Sequence, residues 1–407
     1  MNVPGSRLLL GLLIALLLVS AEGKTDPDTG KCRVIWVGEI SSNNEMVLDW
    51  IAAEPRMELT RAVPCDLQLL MLDEAKRFAR IYLPRSYDSL MAGTDVAIFH
   101  DFHPKVLPVG SIEWFRHGVE SGMGLCLIEF AYRVASYAGM NEWPQLGIYD
   151  TFPGKFVINQ IEAIYGRQFY EVVREAPLLD LPGLEKQLMN WGWHGDLEPR
   201  QGAVTWAIWR GRRTPALVTG QYGEGMVIQA DHGWDTIPQG TKRKWQYVTD
   251  YVYNNIIFVA GLAFPEDVEL VHHTRVKFVR YRDERAMVLL MIDFIERFGA
   301  NPAQFEMEMG EMEGRLDEAE SLYIDAEIER SAQILDELLE DFADLNDGLL
   351  EAKDRVMVWI YVSEWLAVTG TSMGCGFALW TLMVKRRYYR EIGVTRTGTS
   401  ARREWKR

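Results

Sequence analysis

His100, Asp101 and His103 follow one apolar run of this chain, Glu129 ends another, and Asp231 and His232 follow a third. Imidazole and carboxylate together suit a divalent metal or a polar small ligand. These residues are the candidate ligand or metal edge, with ordinary loop capping as the plainer alternative; no cofactor is otherwise implied. A second group is Trp191, Trp193 and His194, in the stretch Trp-Gly-Trp-His-Gly-Asp. Exposed tryptophans stack on sugars or on partner proteins, so 191–194 is a candidate recognition loop. Cys126 sits inside Leu-Cys-Leu-Ile. A nucleophilic cysteine needs an exposed, electropositive seat, and a thiol in an apolar run is filler. His272 and His273 lie in a polar stretch and read as surface.

The first group converges only if its members share one edge of a sheet. Residues 33–38 read as a buried strand, 45–53 as a helix and 57–63 as a second strand. A third strand at 95–99, a helix at 109–120 and a fourth strand at 122–130 follow. Strands alternating with helices imply a parallel sheet covered on both faces. Such sheets bind ligands beyond the carboxyl ends of their strands, where the first group falls. The pattern then changes. Residues 167–174 alternate, and 204–210 and 215–230 read as antiparallel strands with a turn at Tyr222-Gly-Glu-Gly225. Residues 242–262 form a helix with Trp245, Val248, Val252, Ile256 and Val259 on one face, closed by Pro265. Cys32 opens the first strand and Cys65 follows the second. As parallel neighbours they would lie roughly 20 Å apart at about 3.3 Å per residue, too far for a disulfide, which needs about 7 Å.

The two ends of the chain are apolar. Arg7 precedes the run 8–19, which is shorter than the roughly 20 residues of a membrane span, so 1–21 reads as a signal peptide. The uncharged run 365–384 has the length of one span, with Trp365 and Trp380 near its edges. A transmembrane helix is expected at 362–384. The tail 385–407 holds nine Lys/Arg and two Asp/Glu, and the positive-inside rule makes it a basic cytoplasmic tail. The expected location is the plasma membrane, single-pass, with the N-terminal domain outside. The formal charge of −15 is concentrated: 301–355 holds 18 acidic and four basic residues. No basic patch with interleaved aromatics exists outside the tail, which argues against nucleic acid as a partner.

From Phe305 to Val356 the apolar residues recur at three-four spacing, slipping once at 328–331. Residues 282–355 are therefore expected to form an acidic helical stalk, either a coiled coil or a hairpin folded back on itself. Gly370, Gly374 and Ala378, spaced by four, let two membrane helices approach closely. The expected partners are the membrane, a second copy joined through stalk and span, and an envelope protein or carbohydrate.

Four segments recur in an order that resembles the class I glutamine amidotransferase-like family, specifically its membrane-associated, non-catalytic members. They are 95–101 (DVAIFHD), 122–130 (GMGLCLIEF) with SYAG at 136–139, 215–231 (PALVTGQYGEGMVIQAD) and the helix 245–261. The resemblance covers about 30–265. It implies an α/β domain, a flavodoxin-like three-layer sandwich with an antiparallel β extension. The family's enzymes carry a Cys on a strand-to-helix elbow, activated by a His with a carboxylate behind it. Here that elbow falls near 129–131, without Cys, Ser or Thr, and the ribbon ends Asp231-His232-Gly233 with no His-x-Glu. The resemblance therefore implies a domain with no catalytic residues. The expected function is binding or assembly in the cell envelope. The alternatives are an envelope hydrolase acting on amides or carbohydrates and a subunit of a larger membrane complex.

Overall fold

The computed structural model describes residues 25–40, 42–65, 70–100, 103–128, 142–156, 164–194, 197–234, 237 and 245–401. The expected signal peptide, Asp101, Glu129 and the end of the basic tail lie outside these residues.

The strands are β1 (Cys32–Gly38), β2 (Met57–Pro64), β3 (Val96–His100), β4 (Gly124–Ile128), β5 (Gly154–Phe156), β6 (Ile164–Val172), β7 (Leu188–His194), β8 (Leu197–Pro199), β9 (Val204–Trp209), β10 (Pro215–Tyr222) and β11 (Gly225–Ala230). Nine of them form one sheet in the order β2-β1-β3-β4-β11-β10-β9-β6-β7. The first five run parallel, and the rest join antiparallel. The central strands β3 and β4 are buried at every position, which explains why they read as unbroken apolar runs.

Helices cover both faces. α1 (Ser42–Ala53) packs Val47 and Ile51 against Val34, Trp36 and Ile98. α2 (Leu72–Tyr82), α3 (Tyr87–Ala92) and α4 (Val109–Glu120) lie over Ile35, Val37, Ala97 and Phe99 on the other side. α5 (Val248–Ala260) returns to the first face. The sequence reading had no element at 70–92, where α2 and α3 stand. It also ran α5 from 242 to 262. The helix stops earlier because Gly261 takes a left-handed φ of 69° and Leu262 N–H donates to Ile257 O at 3.1 Å, a glycine-closed helix end. Cys32 pairs with Met57 and Cys65 N–H donates to Gly38 O, so the two cysteines occupy opposite ends of β1 and all four cysteines are free.

Three further helices follow: α6 (Val268–Arg297), α7 (Ala303–Ile324) and α8 (Ile328–Ala401). The chain divides into two compact units, 1–280 with 316–336, and 281–315 with 337–407. The slip in the apolar spacing coincides with a turn at 325–327, where Ala326 adopts a φ of 63°. α7 and the start of α8 are thus two helices joined by a turn, and no single rod runs from Phe305 to Val356. The seam residues Met309, Met312, Ala319, Tyr323, Leu335, Leu338, Phe342, Leu345 and Leu349 are buried within the chain. In the second unit Arg315 pairs with Glu337 at 2.8 Å and Arg285 with Glu313 at 2.5 Å. α8 contains a stretch long and apolar enough to cross a membrane. The expected span 362–384 lies in it, and Trp365, Phe377 and Trp380 are uncovered.

Candidate functional site

Strand register decides which candidate residues meet. Gly38 pairs with His100, His100 with Ile128, and Ile128 with Ala230. His100 therefore ends its strand at the level where Asp231 and His232 leave theirs. The approach of β1 to β3 is tight: a Cβ on Gly38 would sit 1.8 Å from His100 O, so only glycine fits there. The next residue, Glu39, donates its N–H to His100 O at 3.0 Å.

The described members of this edge are sealed rather than open. His100 is fully buried and stacks on Trp36, with ring centroids 5.0 Å apart and planes at 20°. Trp36 in turn packs on Trp234 at 6.4 Å and donates its indole N–H to Glu39 O at 3.1 Å. His103 lies off the edge, capping a short 3-10 turn at Pro104–Val106, where its Nδ1 accepts Lys105 N–H at 3.1 Å. Burial holds the His103 pKa below its ordinary 6.5, with Lys105 adding to this and Glu142 opposing it. The Glu142 carboxylate is 3.7 Å from Nδ1 and also pairs with Lys105. A ring nitrogen that accepts a backbone N–H is unprotonated, so the neutral form outweighs that distant pair.

Asp231 and His232 belong to an interior network. His232 Nδ1 lies 2.9 Å from Gly233 O, an acceptor only, so Nδ1 carries the proton. Nε2 then accepts the Tyr170 hydroxyl at 2.6 Å, and Tyr170 accepts the Tyr251 hydroxyl at 2.9 Å. Trp209 donates its indole N–H to Asp231 at 3.0 Å. Tyr170, Asp231, His232 and Tyr251 are each fully buried. Burial, reinforced by Tyr251 and Asp231, raises the Tyr170 pKa well above 10. The His232–Tyr170–Tyr251 chain is oriented and buried in the core, where it holds the end of β11 to β6 and α5. Tyr170 and Tyr251 were missed in the sequence; both looked like core aromatics, and only strand order brings β6 to α5.

Of the expected ligand or metal edge, His100, Asp231 and His232 stand at one level, His103 lies off it, and Asp101 and Glu129 fall outside the described residues. Among the described residues no three His, Cys, Asp or Glu side chains converge to hold a metal ion. Alternation along the strands and the covering of α5 turn the histidines inward. The expected recognition loop at Trp191, Trp193 and His194 is instead the edge strand β7, paired with β6 from Ile164↔His194 to Arg167↔Trp191. Cys126 is central in β4 and fully buried, and burial pushes its thiol pKa well above 9. It cannot supply a thiolate.

A second cluster went unnoticed in the sequence. Arg275 of α6 donates Nε–H to Glu54 Oε2 at 2.6 Å and Nη1–H to Asp250 Oδ1 at 2.7 Å. His272, read as surface, is buried, and its Nδ1–H donates to the other Asp250 oxygen at 2.7 Å. Tyr323 of α7 sits 2.9 Å from Arg275 Nε, and the guanidinium lies 4.6 Å above the Tyr253 ring. The side chains of Glu54 and Asp250 are 0% and 1% exposed. Burial works against the Asp250 carboxylate, yet His272 and Arg275 together hold its pKa below 3.8. This clamp ties α6 and α7 to the α/β layers through charge. Elsewhere in the same unit, a cavity of about 360 Å³ lies between the 28–31 turn and α7, lined by Asp28, Asp317 and Asp325, with Lys31 paired to Glu320 at 3.0 Å.

No family model and no curated protein matches the chain. Among solved structures it is similar to a cytoplasmic protein from Salmonella typhimurium at 16% identity and a TM-score of 0.45, covering 56% of this chain and 98% of that one. A second cytoplasmic protein, from Salmonella typhimurium LT2, matches at 11% identity and 0.41, again over 56% and 98%. A beta-galactosidase from Bacillus circulans sp. alkalophilus matches at 11% and 0.30, over 58% of this chain and 32% of its own. At these scores the likenesses lend this chain no function.

Proposed function

We propose that this chain is a single-pass membrane protein whose catalytically silent, glutamine amidotransferase-like domain binds or assembles with a partner outside the plasma membrane. The observation that carries the reading is the uncovered apolar stretch of α8: Val358, Trp359, Trp365, Phe377, Trp380 and Met383 are each more than 60% exposed. Water does not tolerate a continuous apolar surface of that length, and a bilayer does. The lysine and arginines at 385–387 favour a cytoplasmic C-terminus. The strand order β2-β1-β3-β4-β11 follows the flavodoxin-type pattern, in line with the resemblance. Silence is favoured by the burial of Cys126 and by the sealed state of His100 and His232.

The heptad seam is filled from within, so pairing of two copies falls to Gly370, Gly374 and Ala378. A Cβ on either glycine would meet no atom within 4 Å, leaving room for a second helix. Alkaline carbonate extraction tests the core of the proposal. The chain should stay with the membrane pellet; release into the supernatant would sink the membrane reading. A membrane-impermeant maleimide should label a cysteine placed at Asp347 on intact cells and one placed at Arg396 only after lysis. The reverse pattern overturns the orientation. The hydrolase reading predicts an amidase or glycosidase activity that His100→Ala and Glu129→Ala abolish.

A further inference from the structure

The second unit has an apolar corner that is exposed among the described residues. α6 ends at Arg297 and α7 begins at Ala303. On this corner Leu290 is 70% exposed, Phe298 51% and Met307 63%, and the Phe294 and Phe298 rings pack together at 4.9 Å. The corner's height along α8 follows from two contacts within the unit. Tyr281 packs on Phe342 at 4.8 Å, and α6 and α8 run in the same direction. Sixteen residues further along each, Arg297 comes level with Val358. On the antiparallel partner, the Phe305 ring lies 3.4 Å from where a Cβ on Gly348 would stand, so residue 301 lies level with about residue 352 at 1.5 Å rise per residue.

That is where α8 emerges from its bundle. Val356 is the last of its buried residues, and Val358, Trp359, Tyr361 and Val362 are exposed. The stretch from Val356 to Val384, in which Glu364 is the one charged residue, exceeds the roughly 20 residues that span a hydrocarbon core. The excess is taken up by tilt or by seating the first turns among the headgroups, where Trp359, Tyr361 and Trp365 suit an aromatic belt.

We propose that the α6–α7 corner is a second membrane contact, with Phe298 inserted into the lipid headgroup layer at the level of Trp359. It would hold the helical bundle at a set tilt on the bilayer, a role a single span cannot perform because it swivels. The corner stands at the height along α8 where the exposed apolar stretch begins, which favours a lipid surface over a partner protein. The inference rests on the membrane reading above.

The test uses the full chain with Cys375→Ser, reconstituted in phosphatidylcholine vesicles. An environment-sensitive fluorophore is attached in turn through Phe298→Cys, Glu311→Cys and Phe377→Cys. The expected result is a blue-shifted 298 probe, quenched severalfold more by headgroup-proximal spin-labelled lipid than the 311 probe. The 377 probe should be quenched by lipids labelled deep in the acyl chain. If 377 responds and 298 behaves like 311, the corner stands in water and this inference alone is overturned. If 377 ignores lipid quenchers, the membrane reading falls with it. A 298 probe that is blue-shifted without lipid quenching, and that crosslinks two copies, makes the corner a contact between copies and equally overturns the proposal.

Discussion

Arg275→Met should be among the most damaging single changes in the α/β unit. Arg275 is 6% exposed and holds two carboxylates that are themselves out of solvent. Methionine keeps most of the side-chain length and removes the charge, leaving the buried Glu54 without its guanidinium partner and Asp250 with His272 alone. Breaking a buried ion pair from one side costs about 3–5 kcal/mol. The expected loss of unfolding free energy is in that range, read by urea titration of the detergent-solubilised full chain with tryptophan fluorescence. The mechanism makes a sharper demand on the triple variant Glu54→Gln, Asp250→Asn, Arg275→Met. With no stranded charge it should be more stable than Arg275→Met alone, a non-additivity of about 2 kcal/mol or more for groups in one network. Limited proteolysis should cut Arg275→Met between α5 and α6, which the clamp otherwise holds down. The pH response has a definite sign. Asp250 titrates below its ordinary 3.8 in the folded chain, so its contribution is complete above that pH and is lost as pH falls through the lower folded value. Asp250→Asn should remove that part of the acid transition. A cost under about 1 kcal/mol for Arg275→Met, the range of exposed pairs, would show that water reaches these charges and that the clamp reasoning is wrong.

Tyr170→Phe leaves His232 Nε2 to the longer contact with the Tyr251 hydroxyl, 3.4 Å away, and should cost about 1–3 kcal/mol by thermal or urea unfolding; no measurable loss would mean the relay is not closed. Cys32, Cys65 and Cys126 should resist a thiol reagent in the native state and react together on unfolding, since burial raises all three thiols; rapid native labelling of Cys126 would reopen the question of a nucleophile. His103 has a folded pKa below 6.5, so its contribution is full above that pH and is lost as pH falls through the folded value. The proton would displace Lys105 N–H from Nδ1, so amide exchange at Lys105 should rise on acidification in the wild type and stay flat in His103→Gln.

Much of the architecture was legible from local pattern. The apolar runs at β1, β3 and β4, the helix 109–120 and the hairpin turn at Gly223-Glu224 each announce themselves through periodicity or turn chemistry, which depend on neighbours in sequence. α2 was not read although Ala75 and Ala79, its buried residues, sit four apart on one face of a strongly amphipathic helix. The three-four spacing leaves its meaning open in the sequence, because a seam filled by a second chain and one filled by a hairpin need the same residues. A turn built on Ala326, in a backbone region usually given to glycine, carries no sequence signal.

The site divides the same way. Sequence alone determined that His100 and Asp231–His232 stand at the carboxyl ends of strands, because strand ends are set by local composition. It determined the long apolar stretch of α8 too, since hydropathy needs no partner. Tertiary structure alone decided that those histidines turn into the core, that Tyr170 reaches His232 across 62 positions, and that Glu54 meets Arg275 across 221. Side-chain orientation at a sheet edge and charge pairing between distant helices are consequences of strand order and packing. Neither leaves a period in the sequence to be read.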